Sequence, residues 1–168
     1  MSGHKCSFVF INTVYEFRKM QRKQLPTVQF HFLEKASFTN RTLAKEVVKD
    51  LFKKEKKKLA HLNYVFCSDE YLLEINKQYL QHNYYTDIIT FDLSEDDDGV
   101  IGEVYISLDR VRENAHTYKV SFQKELLRVI FHGALHLCGY GDKREREEKE
   151  MRRAEDKYLQ YFLSRVKQ

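Results

Sequence analysis

Apolar and polar residues alternate from Thr27 to Leu33, with Val28, Phe30 and Phe32 on one side and Gln29 and His31 on the other. That two-residue period predicts a half-buried strand. After Asn40 the rhythm changes. Leu43, Ala44, Val47, Val48, Leu51 and Phe52 recur at i, i+3 and i+4, which predicts a helix capped by Asn40 and running to about Lys57. An apolar run at about 62–67 reads as a second strand, followed by a short helix from Ser68 to about Tyr79. Segments 86–93 and 100–107 are rich in β-branched and aromatic residues and are joined by the acidic stretch 94–99, the pattern of a hairpin. Helices then follow over 108–118 and 121–138, the second capped by Ser121 and stopped by Gly139. A charged helix from about Arg144 to Leu163 closes the chain, with Met151, Ala154, Tyr158, Leu159 and Phe162 along one buried stripe. Strands interleaved with helices, plus a hairpin, define an α/β or α+β fold with a mixed four-stranded sheet.

Composition narrows this to one domain. The chain has 168 residues, 42% of them apolar, with 12 Phe and 11 Tyr to fill a core and a single proline. Residues 1–19 read as a poorly ordered N-terminal extension or a misassigned start, and 20–168 as the domain. No apolar run approaches the roughly 20 residues needed to cross a bilayer, so no membrane partner is expected. Cys6, Cys67 and Cys138 form no CxxC pair, which fits reduced thiols and a cytoplasmic location.

The net charge of +4 hides an asymmetry. Residues 1–60 hold 14 basic against 5 acidic side chains, and 61–168 hold 15 against 20. The run Lys53-Lys54-Glu55-Lys56-Lys57-Lys58 carries enough charge to attract RNA, and equally suits the solvated end of a helix.

The densest chemistry lies in Phe131-His132-Gly133-Ala134-Leu135-His136-Leu137-Cys138-Gly139-Tyr140-Gly141-Asp142. Residues four apart on a helix share a face, so His132 and His136 can converge on one ion while the turn at Gly139 returns Asp142 to the same point. Three protein ligands around zinc leave one position open, the arrangement of catalytic rather than structural sites. Val129, Ile130, Phe131, Leu135 and Leu137 flank the pair, and buried imidazoles need partners. Gly133 in mid-helix implies a close approach to the backbone. It also stands where zincin proteases carry the glutamate of H-E-x-x-H, so the usual base for peptide hydrolysis is absent and a metalloprotease becomes the secondary reading.

The segment 132–140 resembles the signature of the YbeY family, rRNA maturation factors regarded as zinc-dependent endoribonucleases. The similarity extends through Tyr79, Thr86-Asp87-Ile88-Ile89-Thr90-Phe91, the strand Gly102-Glu103-Val104-Tyr105-Ile106-Ser107, and Met151 with Glu155, covering roughly 27–163. The resemblance implies a single-strand-specific endoribonuclease bound to one Zn2+ and acting on precursor rRNA. It further implies a role at the 3′ end of 16S rRNA on the small ribosomal subunit, with no DNA partner. A non-catalytic assembly factor with a structural zinc is the alternative. Two positions depart from the family pattern. Asp142 replaces a third histidine; carboxylate oxygen ligates zinc but also suits harder ions such as manganese. Leu80 replaces an arginine and cannot bind phosphate. Arg128, one turn before His132, is a candidate substitute, and a salt-bridge role is its alternative. Tyr84, Tyr85 and Phe91 are candidates for stacking on unpaired bases, or for anchoring the core and loops.

Overall fold

A computed structural model describes residues 26–95 and 98–167; the expected extension at 1–19 lies outside them. The elements in chain order are β1 (Thr27–Phe32), α1 (Arg41–Lys54), β2 (Leu59–Cys67), α2 (Asp69–Leu80), β3 (Ile88–Asp92), β4 (Val100–Ser107), α3 (Leu108–Thr117), α4 (Phe122–Leu137) and α5 (Glu145–Val166). The strands form one sheet in the order β1-β2-β4-β3. β1 and β4 each run parallel to β2, whereas β3 is antiparallel to β4. The expected mixed four-stranded α+β fold is therefore present, hairpin included.

Side chains alternate across the sheet. Leu62, Tyr64, Phe66, Val104 and Ile106 face a core completed by Val47, Leu51 and Phe52 of α1, Phe131 and Leu135 of α4, and Met151, Tyr158 and Phe162 of α5. On the opposite face Val65, Cys67, Ile89 and Tyr105 form a smaller cluster under Leu72 and Ile75 of α2. The apolar stripe read from α5 is buried throughout.

Boundaries shift where tertiary contacts override the local pattern. Asn40 occupies the cap position of α1, but its left-handed backbone (φ 54°) leaves its side chain without a cap bond. α1 stops at Lys54 rather than Lys57, because Lys56 turns left-handed (φ 57°) and the Lys57 amide bonds back to the Phe52 carbonyl at 2.8 Å. β2 begins at Leu59, three residues early, because Leu59 pairs with Val100 across an irregularity in the register. Ser107 ends β4 and caps α3, its hydroxyl accepting from the Arg110 amide. Ser121 caps α4 as expected, and Ser68 caps α2, its hydroxyl accepting from the Tyr71 amide.

Candidate metal centre

α4 is the most apolar helix among the described residues, and it lies against the sheet because one position lacks a side chain. A Cβ at Gly133 would stand 2.8 Å from Val104 Cγ1 and 2.9 Å from Ile88 Cδ1. The neighbouring His132 and His136 are thereby turned to the rim of the helix, partly exposed. The structure also explains the missing protease base, since a glutamate at 133 would have to occupy the space of Val104 and Ile88.

The C-terminus of α4 is built to send the chain back. Gly139 adopts φ +101°, its amide bonds to the His136 carbonyl at 2.9 Å, and the Tyr140 amide bonds to the Leu135 carbonyl at 3.1 Å. These paired bonds are a Schellman stop, which favours glycine at the left-handed position. The following turn is pinned from α5, where Glu147 accepts from the amides of Lys143 and Arg144, both at 3.2 Å.

This turn carries Asp142 to the two histidines, and one ligand atom from each of the three lies within 4.8 Å of the others. His132 Nε2 is 2.8 Å from His136 Nε2, and Asp142 Oδ2 is 3.4 Å from His136 Nε2 and 3.7 Å from His132 Nε2. Ligands at zinc-bond length in a tetrahedron stand roughly 3.4 Å apart, a value these three separations bracket.

The outer nitrogens decide what the inner ones offer. His132 Nδ1 lies 2.8 Å from Glu155 Oε1, and His136 Nδ1 lies 2.9 Å from the Tyr140 carbonyl. An ionised carboxylate and a carbonyl only accept, so each Nδ1 carries the proton and each Nε2 presents a lone pair. Two lone pairs 2.8 Å apart with a carboxylate alongside form a set that a cation satisfies and that neutral rings alone do not. The donor set therefore fits a metal ion. Burial, followed by the neighbouring His132, holds the His136 imidazole below its ordinary pKa and so favours the neutral, ligating form.

Glu155 is the functional residue whose role was not legible in the sequence. Its carboxyl is 7% exposed and joins His132 to Arg128, whose Nη1 donates to Glu155 Oε2 at 2.8 Å while Nη2 donates to Asp156 at 2.8 Å. Burial would raise the Glu155 carboxyl, but the bonds from His132 and Arg128 outweigh it and hold the group below the usual carboxylate range. The available signal was an acidic residue set inside the apolar stripe of α5. Arg128 is thus where the sequence placed it, one turn before His132, but its guanidinium is committed to two carboxylates rather than presented outward. That arrangement is the salt-bridge alternative.

The aromatic candidates separate. Phe91 packs between Tyr79 and Tyr105, with centroids at 5.8 and 5.9 Å, and belongs to the sheet face. Tyr84 and Tyr85 are exposed; Tyr84 stacks on His82, and the Arg110 guanidinium lies 4.9 Å over Tyr85. Leu80 is exposed at the end of α2. The lysine run lies around the end of α1, where Glu55 accepts from the Tyr140 hydroxyl at 2.9 Å and also bonds Lys157 and the Tyr158 hydroxyl.

Fold and centre together define the class: an α+β protein in which a core helix and the turn after it present two imidazoles and a carboxylate fit for a metal ion. The family model described as Endoribonuclease YbeY matches residues 29–163, and the chain belongs to that family. It is 46% identical over 135 residues to the Endoribonuclease YbeY of Flavobacterium psychrophilum, spanning 80% of this chain and 91% of the relative. With the Cytophaga hutchinsonii protein of the same name it shares 52% identity over 107 residues, 64% of this chain and 75% of the relative. A Thermotoga maritima protein solved in solution superposes with a TM-score of 0.58 at 30% identity, covering 84% of this chain and 92% of the other.

Proposed function

We propose that this chain is a metal-dependent endoribonuclease that cuts single-stranded RNA during rRNA maturation, acting in the cytoplasm on precursor 16S rRNA of the small ribosomal subunit. The observation that carries the reading is the convergence of His132 Nε2, His136 Nε2 and Asp142 Oδ2, in a chain 46–52% identical to endoribonucleases. Two imidazoles favour zinc, and the carboxylate keeps manganese as the competing ion. When bound, such an ion supplies an acidified water or polarises the scissile phosphate.

The protein's own residues prepare that chemistry. Glu155 holds the Nδ1 proton of His132, and the Tyr140 carbonyl holds that of His136, so both rings keep one tautomer and one orientation. Glu147 fixes the turn that presents Asp142. Arg128 acts as a positioning residue, because it reaches the centre only through Glu155. His132, His136 and Asp142 are the proposed ligands, and the two histidines are the residues on which cleavage depends. Peptide hydrolysis is disfavoured by the packing at Gly133.

Elemental analysis of the purified protein, with cleavage assays on unpaired and duplex RNA at stated salt, tests this reading. We expect about one zinc per chain, cutting confined to unpaired RNA, and loss of both metal and cutting in His136→Ala. Full cleavage by metal-free His136→Ala would sink the proposal. Loss of melting temperature on chelation, with no cleavage under any condition, would favour a structural zinc in an assembly factor.

A further inference from the structure

We propose that the loop 81–87 is a base-stacking platform on which Tyr84 and Tyr85 hold unpaired nucleotides beside the metal centre, an inference that rests on the endoribonuclease reading above. Large apolar side chains left in solvent are not spread evenly over this fold. Of eight among the described residues, Tyr79, Leu80, Tyr84 and Tyr85 fall within seven positions. They contribute little to the core, and a patch of this kind marks a surface that meets something else.

Each of the two loop tyrosines is backed on one side and open on the other. Tyr84 stacks on His82, with centroids 5.1 Å apart and planes 23° apart, and its hydroxyl lies 3.0 Å from His82 Nδ1. It is still 57% exposed, so its second face looks into solvent. The Arg110 guanidinium lies 4.9 Å over Tyr85, which is itself 50% exposed. Asp69 and Glu113 hold that guanidinium in place, at 2.8 and 2.6 Å. The loop is pinned as well. Asn76, buried in α2, donates from Nδ2 to the Tyr84 carbonyl at 2.8 Å, and the Asp87 carbonyl accepts from the Ser107 amide at 2.9 Å. Rings already fixed in this way lose little freedom when a base lands on them.

The platform adjoins the helix of the metal ligands. Ile88 opens β3, and its Cδ1 stands 2.9 Å from where a Cβ at Gly133 would be, at the residue after His132. Three steps of chain link Tyr85 to Ile88, a Cα distance of at most about 11 Å. A strand whose phosphodiester sits at His132, His136 and Asp142 thus brings its neighbouring nucleotides within reach of the rings. Open aromatic faces with polar rims suit nucleobases, which are planar and polar-edged, and stacking accepts any base whose own face is free. Bases inside a duplex have both faces covered by their neighbours, so the platform selects unpaired RNA. An apolar segment of a partner protein is the competing occupant; it would use the area of the rings but not their open faces.

The test compares Tyr84→Leu, Tyr85→Leu, the double Leu variant and the corresponding Phe variants with the zinc-loaded full chain. Leu keeps apolar area and removes the aromatic face, whereas Phe keeps the face. Steady-state cleavage of a single-stranded oligoribonucleotide is paired with photocrosslinking of the same strand carrying 5-iodouridine, which joins to aromatic rings it stacks on, followed by peptide mass mapping. The double Leu variant should keep metal content and melting temperature and raise KM by roughly 5- to 100-fold, the usual worth of a base stacked on an aromatic ring. Its kcat should change far less, the mark of a contact made equally in ground and transition states, and the Phe variants should recover KM. The crosslink should map to Tyr84 or Tyr85 and vanish in the double Leu variant. A double Leu variant with KM within twofold of the parent, or crosslinks that map only elsewhere, would overturn the inference, leave the nuclease reading standing and assign the patch to a protein partner. Should the parent protein cut no RNA, the nuclease reading fails by itself. The crosslink map then decides alone, and its absence from Tyr84 and Tyr85 overturns the inference.

Discussion

Replacing Glu155 by Gln removes one charge from a carboxylate that serves two donors at once. The amide oxygen can still accept from His132 Nδ1, 2.8 Å away, but the amide nitrogen must then face Arg128 Nη1, donor against donor, across the other 2.8 Å contact. If the amide flips to satisfy Arg128, His132 loses its acceptor and its fixed tautomer. Either way one buried bond to a charged group is lost, and Arg128 keeps only its half-exposed partner Asp156. Such a loss costs about 2 kcal/mol, which for a domain of this size lowers the melting temperature by roughly 4–8 °C. Carboxylates behind metal-bound histidines are typically worth 10- to 100-fold in metal affinity. At saturating metal this removes a further ~1.4–2.7 kcal/mol of metal-linked stability. The assay is competition against a chromogenic zinc chelator, paired with calorimetric unfolding of the metal-loaded and stripped forms. A Glu155→Gln protein that binds zinc within twofold of the parent and melts at the same temperature would refute the claim that this carboxylate organises the centre.

Three further outcomes are expected. Gly133→Ala gains helix propensity but presses a methyl group onto Val104 and Ile88, for a net destabilisation of about 1 kcal/mol by urea unfolding; a more stable variant would contradict the close packing. Burial raises the Glu55 carboxyl, but bonds from Tyr158, Lys157 and Tyr140 outweigh it, so its folded pKa lies below that of an ordinary glutamate. Its stabilising contribution is therefore complete above about pH 4.5 and lost as pH falls through the folded value, and Glu55→Gln should flatten that limb of a stability-pH curve. Burial pushes the Cys67 and Cys138 thiols up to about 12. Peptide mass mapping after alkylation at pH 8 should find both unlabelled in the folded protein and both labelled in denaturant.

The fold was readable in the sequence wherever a whole face of residues repeats one instruction. The stripe of α5, the alternation of β1 and the serine cap of α4 are all where the pattern placed them. What escaped it depends on contacts between distant segments. The early start of β2 follows from pairing with Val100, and the conformation of Asn40 leaves its expected cap bond unmade. The centre divides in the same way. His132, His136 and Asp142 are brought together by one helix and one turn, so their spacing announces them. Glu155 reaches the site from another helix, 23 positions from His132, and only its charge within an apolar stripe marked it. Arg128 was placed correctly, but its commitment to Glu155 and Asp156 follows from the docking of α5, which no local pattern encodes.

Tyr140 makes three connections, and only one of them belongs to a tyrosine. Its amide closes the helix and its carbonyl holds His136, tasks that nearly any residue can perform, whereas its hydroxyl alone reaches Glu55. Sequence drift at this position is therefore buffered: an exchange to Phe or Leu leaves the ligand geometry written in the main chain and severs only the tie to α1. The centre's tolerance to mutation is set less by which side chain follows Gly139 than by whether the backbone there can still make its turn.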